Sequence, residues 1–408
     1  MGEVDRSYII KIIIVFFLGW ALLYADRTAL YPLLGVIGDD LNLTGAQAGA
    51  ITSAFFVCYT FMQIPAGMWG DRYGLKKMLV FMFMLAGIAL LAIGIFPPGY
   101  LTLILLVALH GTGAGAYFPA AMGTTLKTVP QKMRGLSSAI VQSGMSLGLA
   151  LGLVCSGPIY LYFNSWRMPF FVLAVPTIML AVVYQIVLRD IRPEASHTRE
   201  KSSVRWIFNN KNLMLLSVTS FCSQYGFWTV VTWGPTFLQT ERGLSLAVAG
   251  LYTAIVAFTA IPATLTIGSC SDRFGRKKPS LILLPLAAVT VFATGYVKSL
   301  PALIAVLVCY GLVGKLTWDP IEISWFGDHV AAVRPEAMGT AVAFFNFFGM
   351  CAATVAPVVS GWVKDITGSL VSSFYLGGAI VLLGSVLLIF VPETVSGAGS
   401  KDKGTPLA

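Results

Sequence analysis

Twelve long apolar segments dominate this chain, and short clusters of Gly, Pro and charged residues separate them. A helix needs about 20 mostly apolar residues to cross the hydrocarbon core of a bilayer. With 57% hydrophobic and 11% charged residues, the chain is far more apolar than a soluble domain. We therefore predict an all-α integral membrane protein with twelve transmembrane helices. The predicted spans are 9–35, 47–69, 77–97, 99–126, 136–163, 168–188, 213–239, 246–268, 279–298, 301–326, 337–363 and 370–391.

A short basic motif occurs twice, once after the second span and once after the eighth. It covers residues 67–77 and 268–278, and both copies contain Asp-Arg followed by an aromatic residue, Gly and two lysines. Gly74 and Gly275 permit a tight turn, and the lysines suit an anionic membrane surface. A repeat of this kind indicates two pseudo-symmetric halves with six spans each, as is common in membrane carriers.

The longest polar interval lies between these halves and suggests the domain boundaries. We predict an N-terminal six-helix bundle over 1–190, a cytoplasmic linker over 191–212, a C-terminal six-helix bundle over 213–391 and a cytoplasmic tail over 392–408. The first span follows charged residues without a small-residue cleavage site, which indicates a retained helix rather than a signal peptide.

The net charge of +9 reports membrane topology. Of the 27 Lys and Arg residues, 21 fall on the side of the predicted membrane that carries both basic motifs, and four fall on the opposite side. The positive-inside rule then places both termini in the cytoplasm of a cell-membrane protein. The basic excess indicates contact with anionic lipid, and we expect no nucleic-acid partner.

The sequence offers little for an enzymatic function. It contains no P-loop, no His/Cys/Glu metal cluster and no Gly-x-Ser-x-Gly elbow. The six cysteines lie in or beside the spans without paired spacing, so we interpret them as packing residues. We expect neither an enzyme nor a cofactor, and an ion or substrate gradient as the energy source.

Charged residues inside the spans mark the candidate site, because each costs about 2.5–3.5 kcal/mol at the centre of a membrane helix. The first span carries Asp26 and Arg27, and the tenth carries Lys315, Asp319 and Glu322. Arg27 suits bidentate binding of a carboxylate, and Lys315 could supply a second cation. Neighbouring residues point to different parts of a helix. We therefore expect one of Asp26 and Arg27 to line a cavity while the other meets a neighbouring helix; alternatively, both only fix packing.

Four ionisable residues are candidates for carrying a proton. Desolvation disfavours the charged form of a carboxyl such as Asp26, and the imidazole of His110 titrates near neutrality. His110 could equally be bonded to a backbone carbonyl. Asp319 and Glu322 share a helical stripe with Lys315, so they either couple protons or form an ion-pair ladder.

Polar and aromatic side chains around these charges could orient a polar ligand, although packing is the alternative for each. The predicted substrate-binding set is completed by Tyr24, Tyr31, Tyr59, Gln142, Gln224, Tyr225, Trp228, Trp318 and Asn346. Gly144, Gly148 and Gly152 form a small-residue face on the fifth span, which predicts close helix packing.

The two basic motifs resemble the signature of the major facilitator superfamily, and the resemblance covers essentially the whole chain. It implies two six-helix bundles with a central site that works by alternating access. It also implies that the loops with Asp71, Arg72, Asp272 and Arg273 couple the bundles and stabilise one gate. The alternative is that these four are only turn and topology residues.

Further stretches resemble the anion:cation symporter branch, which includes sialin, vesicular glutamate carriers and bacterial galactonate and hexuronate permeases. They are 24–30, 53–65, Phe118-Pro119, 165–170 and several positions between 339 and 357. The resemblance implies proton-coupled symport of a small organic anion, such as a sugar acid or a mono- or dicarboxylate. A glutamate commonly occupies the position of Ala114 in that branch, and its absence leaves uniport or exchange open.

Two other functions stay open at this point. One is a proton-coupled drug or metabolite efflux antiporter, and the other is a non-transporting sensor on the same fold. Two buried cations disfavour a site for cationic drugs. The expected partners are therefore an organic anion, protons and the lipid bilayer, with a monomer as the default.

Overall fold

The computed structural model describes residues 6–96, 99–130, 133–189 and 205–394, and these ranges are almost wholly helical. They contain no strand, and the all-α prediction is confirmed. The helices are α1 (Arg6–Thr28), α2 (Leu30–Asp40), α3 (Gly45–Tyr73), α4 (Leu75–Ile95), α5 (Tyr100–Gly115), α6 (Tyr117–Thr128), α7 (Arg134–Phe163), α8 (Met168–Val187), α9 (Arg205–Asn209), α10 (Lys211–Thr240), α11 (Leu246–Phe274), α12 (Lys277–Tyr296), α13 (Leu300–Val313), α14 (Lys315–Val333), α15 (Met338–Thr367) and α16 (Val371–Leu387).

Eleven helical stretches within the described ranges are long and apolar enough to cross a membrane. Every predicted span overlaps one helix or two consecutive helices. The seventh predicted span corresponds to α10, which has 30 residues but contains many Ser, Thr and Gln residues that lower its hydropathy. The prediction of a multi-pass helical membrane protein is confirmed.

Three predicted spans each correspond to two consecutive helices, which meet at Ala29, Ala116 and Gly314. Ala29 and Ala116 keep helical backbone angles, whereas the tenth span is broken at Gly314. Gly314 has an extended backbone, so Lys315 is the first residue of α14 instead of lying within a continuous helix as predicted. Hydropathy could not show the break at Gly314, because glycine is tolerated within membrane helices.

The chain divides into two compact units, which we describe separately. Unit 1 comprises Met1–Arg199, Thr229–Ala257 and Ala353–Ser373, and unit 2 comprises Glu200–Trp228, Phe258–Ala352 and Phe374–Ala408. Helices α10, α11, α15 and α16 therefore contribute residues to both units. The predicted domain boundaries stay a prediction, since most of the linker (190–204) and the tail from 395 onward lie outside the described residues.

Unit 1 is held together by close contact between α1 and α7. Three glycines spaced by four residues on α7 face backbone carbonyl oxygens that are also spaced by four on α1. A Cβ atom at Gly144, Gly148 or Gly152 would collide with the carbonyl oxygen of Phe17, Ala21 or Ala25, respectively. The predicted packing role of this small-residue face is confirmed.

A carboxylate caps the start of α3 in unit 1. Asp365, near the end of α15, accepts hydrogen bonds from the backbone amides of Gly45 at 2.6 Å and Ala46 at 2.8 Å. The first amides of a helix have no partner within the helix and carry partial positive charge. Asp365 thereby fixes the end of α15 to the first turn of α3.

The repeated motif forms tight turns, as predicted. Gly74 has φ of 98° and Gly275 has φ of 89°, values that favour glycine. In unit 2, the carboxylate of Glu393 accepts hydrogen bonds from the backbone amides of Arg276 and Lys277, both at 2.9 Å. It therefore caps the start of α12 just after the turn.

The predicted gating residues stay a prediction. Arg72 is exposed at the end of α3, whereas the side chains of Asp71, Asp272 and Arg273 lie outside the described part of the chain.

Replacing Gly148 by Ala should destabilise unit 1, because the added methyl group would meet the Ala21 carbonyl and force α1 and α7 apart. We expect a loss of about 1–3 kcal/mol, as for other overpacked sites, measured as a lower midpoint of thermal unfolding in detergent. Gly38→Ala is the matched control, since a Cβ at Gly38 in α2 would have no atom within 4 Å. Equal midpoints for the two variants would contradict the tight α1–α7 contact.

Candidate functional site

The charged residues of α1 border a small cavity inside unit 1. The cavity has room for about one water molecule. Its walls combine ionisable, hydroxyl and apolar side chains from several helices. They are Asp26, Arg27, Leu30, Tyr31, Thr52, Phe55, Leu90, Ile93, Val107, His110 and Phe170. The structure therefore brings four predicted site residues, Asp26, Arg27, Tyr31 and His110, to one cavity.

Arg27 is held among aromatic rings. Its side chain is buried, with 6% of the residue exposed. The guanidinium carbon lies 3.5 Å from the centre of the Tyr24 ring and 5.3 Å from the centre of the Phe56 ring. Cation–π attraction of this kind strengthens when water is excluded. The rings thus stabilise a permanent positive charge at a position where water cannot.

Asp26 meets a neighbouring helix, as expected for one of the two charged residues. Its Oδ2 atom accepts a hydrogen bond of 2.9 Å from the hydroxyl of Thr177 on α8. Its Oδ1 atom is buried and has no hydrogen-bond partner among the described residues. Both Asp26 and Arg27 border the cavity, and Asp26 also meets the neighbouring helix α8. Neighbouring residues lie only about 100° apart around a helix, and the cavity covers that arc.

His110 uses one ring nitrogen for structure and leaves the other at the cavity. Its Nδ1 atom lies 3.2 Å from the carbonyl oxygen of Ala86 on α4. A carbonyl oxygen only accepts, so Nδ1 carries the proton and Nε2 has the lone pair of the neutral ring. Nε2 is buried without a hydrogen-bond partner within the described ranges. The bond to a backbone carbonyl thus exists, and it leaves one nitrogen able to accept a proton.

Small residues next to His110 fix its position. A Cβ atom at Gly111 would collide with the Phe55 carbonyl oxygen, and one at Gly115 would lie 2.6 Å from the Tyr59 carbonyl oxygen. These glycines let α5 approach α3 closely, which brings the His110 ring to 5.3 Å from the Phe55 ring. Ala114, at the position of the glutamate in the resembled branch, is fully buried.

A second charged cluster lies on α14 in unit 2. Lys315 and Asp319 form an ion pair one helical turn apart. Glu322 is fully buried, interacts electrostatically with both, and lies beside Ser220 of α10. The three ionisable residues therefore lie along α14 as predicted. Lys315 and Asp319 form an ion pair, as the ladder interpretation predicts for these two.

The other predicted ligand-binding residues differ in exposure, and their roles stay predictions. Gln142 and Asn346 are exposed, and Tyr24 is half-buried. Trp318 is fully buried and donates its indole N–H to the Ser280 hydroxyl at 2.8 Å, as a packing residue does. The remaining members are buried: Tyr31, Tyr59, Gln224, Tyr225 and Trp228.

The sequence analysis did not predict the hydroxyl residues that lie beside the ionisable groups. Thr177 bonds Asp26, Thr52 borders the cavity and Ser220 lies beside Glu322. Each carries one hydroxyl group in a membrane helix, and the sequence contains many such residues without an ionisable neighbour.

Curated relatives of similar length share about a quarter of the residues of this chain. A probable sulfoacetate transporter of Cupriavidus necator is 26% identical, with 90% of each chain covered. A hexuronate transporter of Bacillus subtilis is 25% identical, with 98% of each chain covered. A probable galactarate/D-glucarate transporter of Bacillus subtilis is 26% identical over 92% of this chain and 88% of its own length.

Solved structures show the same fold. A bacterial homologue of the human lysosomal transporter Spinster has a TM-score of 0.78 and 17% identity, covering 95% of this chain and 96% of its own. A D-xylose-proton symporter has a TM-score of 0.77 and 17% identity, covering 95% of this chain and 99% of its own. The sequence model of the Major Facilitator Superfamily matches residues 16–349, which is most of the chain. The chain therefore belongs to the Major Facilitator Superfamily and is a membrane transporter, not an enzyme.

Proposed function

We propose that this protein is a secondary active transporter of a small organic anion, driven by proton symport and working by alternating access. The substrate class is a carboxylate such as a sugar acid or a mono- or dicarboxylate. The observation that carries the proposal is the buried guanidinium of Arg27, which shares a cavity with the ionisable side chains of Asp26 and His110. The named substrates of the relatives, which are all organic acids, support the same class.

Arg27 is the proposed anion-binding residue. A guanidinium stays charged in proteins, so its burial in an apolar helix has a cost that an anionic ligand offsets. Its planar donors match the two oxygens of a carboxylate. Lys315 in unit 2 is the second proposed cation, and Asp319 balances its charge while no substrate is bound.

Asp26 is the proposed coupling residue in unit 1, with His110 as its partner. An ionised Asp26 would repel an anion that approaches Arg27, and a protonated Asp26 would not. Protonation therefore raises the affinity for the anion, and the bound anion raises the affinity for the proton by the same factor. His110 can exchange a proton with the same cavity through Nε2.

The orientation in the membrane follows from charge. Because 21 of 27 cations fall on the side of the basic motifs, we propose that both termini face the cytoplasm of a cell-membrane protein.

Removal of the Arg27 guanidinium should strongly reduce acid uptake. In proteoliposomes with an inward proton gradient, we expect Arg27→Ala to lower kcat/KM for the transported acid by about 10- to 100-fold, the loss for one or two charge-assisted hydrogen bonds. Arg27→Lys should be intermediate, because it keeps the charge without the bidentate fork.

The control for this experiment is Lys298→Ala, which removes one exposed cation between α12 and α13. It should transport as the wild type does. Normal uptake by folded Arg27→Ala protein would overturn the anion site. Failure of the wild type to take up any of a panel of labelled organic acids would instead favour export or sensing.

Neutralising Asp26 should separate transport from the proton gradient. We expect Asp26→Asn to retain exchange of internal for external acid, because the amide imitates the protonated carboxyl, but to lose accumulation driven by the gradient. Thr177→Val is the matched control, since it removes the hydrogen bond to Asp26 and keeps the ionisable group. If Asp26→Asn and His110→Gln both accumulate acid as the wild type does, neither residue couples protons.

A further inference from the structure

Glu322 is a fully buried acid without a complete set of polar partners. None of its surface is accessible. Ser220 lies beside the carboxyl, but neither carboxyl oxygen has a hydrogen-bond partner of normal geometry within the described part of the chain. An ionised carboxylate in such a place is costly, and a buried acid avoids the cost by binding a proton.

The neighbouring charges do not balance an ionised Glu322. The charged groups that interact with it are Lys315 and Asp319, on the same stripe of α14. Lys315 forms an ion pair with Asp319, so its single positive charge is already balanced. With Glu322 ionised, the buried cluster would carry a net negative charge; with Glu322 protonated, it is neutral.

Within the described ranges, the groups of α11, α12 and α13 that hydrogen-bond to the first turn of α14 are polar but uncharged. On α12, Ser280 accepts the indole N–H of Trp318, and on α13 the carbonyl of Gly311 accepts the hydroxyl of Thr317. On α11, Thr264 donates to the carbonyl of Leu316. These groups are engaged with each other or with backbone.

Asp319 is the most exposed member of this cluster. About a third of the Asp319 side chain, 31%, is exposed, whereas Lys315 exposes 6%. Asp319 is one turn before Glu322 on the same stripe. Asp319 therefore links the buried Lys315 and Glu322 to the more exposed side of the stripe.

We propose that Glu322 is a second proton-binding site, held as a neutral acid in unit 2 beside the Lys315–Asp319 ion pair. This inference rests on the proposed symport and deepens it. Asp26 with His110 binds one proton in unit 1, and Glu322 binds another in unit 2. Two protons with one monovalent anion move one net positive charge, so uptake of a monocarboxylate is electrogenic. Uptake of a dicarboxylate is electroneutral.

The same geometry couples Glu322 to the substrate. When an anion binds Lys315, the ammonium no longer balances Asp319 fully, and the two carboxyls are left with one shared cation. Anion binding therefore favours protonation of this cluster, and the reverse holds with the same factor.

The direct test is infrared spectroscopy of the purified, anion-free protein near neutral pH. We expect the carbonyl band of a protonated carboxyl in the wild type and a loss of intensity in Glu322→Gln, which keeps the shape of the neutral acid. Asp319→Asn should also lose intensity, because Lys315 then has Glu322 as its counter-ion and Glu322 ionises. Glu241→Gln, outside the cluster in the loop after α10, is the matched control and should keep the band.

The second test is the number of protons moved with each anion, measured from the reversal potential of transport in proteoliposomes. The ratio should fall from two in the wild type to one in Glu322→Gln and stay at two in Glu241→Gln. An unchanged band and an unchanged ratio in Glu322→Gln would overturn this inference while leaving the symport intact. A wild type that takes up acid without protons would overturn the symport, and the infrared band would still decide whether Glu322 holds a proton.

Discussion

The free-energy cost of keeping ionisable side chains away from water shapes both units of this transporter. Neighbouring side chains stabilise the two buried cations, Arg27 and Lys315. Arg27 lies on aromatic rings of α1 and α3, and Lys315 pairs with Asp319 within α14. Asp26 has only half of its carboxyl satisfied by Thr177, and Glu322 has neither oxygen hydrogen-bonded within the described ranges. Binding a proton removes the cost of a buried charge at these two incompletely hydrogen-bonded acids. The proposed proton coupling is assigned to them for this reason.

Close approach of backbones allows these side chains to meet. Gly148 and its neighbours bring α7 onto α1, and Gly111 and Gly115 bring α5 onto α3. Without a hydrophobic driving force between helices in lipid, such van der Waals contact is a main source of association. The result is a unit in which an aspartate, an arginine and a histidine from α1 and α5 share a cavity with room for about one water molecule.

Hydropathy and glycine chemistry predicted much of this fold. The span positions follow from long apolar segments, and Gly74 and Gly275 have the positive φ values that their turns require. The break at Gly314 was not predicted, because glycine is tolerated within membrane helices. The Asp26–Thr177 pair was not predictable either, since its members are 151 residues apart and periodicity gives the face of a helix without naming its neighbour. The sequence shows which membrane-embedded residues are ionisable, whereas their hydrogen-bond partners can be identified only in the three-dimensional structure.

The cap on α3 has a consequence for how this protein can vary. The donors to Asp365 are backbone amides, so substitution of their side chains leaves them in place. Gly45 tolerates few substitutions, because a Cβ atom there would lie 2.6 Å from the carbonyl oxygen of Gly361. Of the groups that form this cap, Asp365 is the side chain that substitution can change. Residue 365 is therefore a tuning point for the connection between α15 and α3 when related carriers diverge.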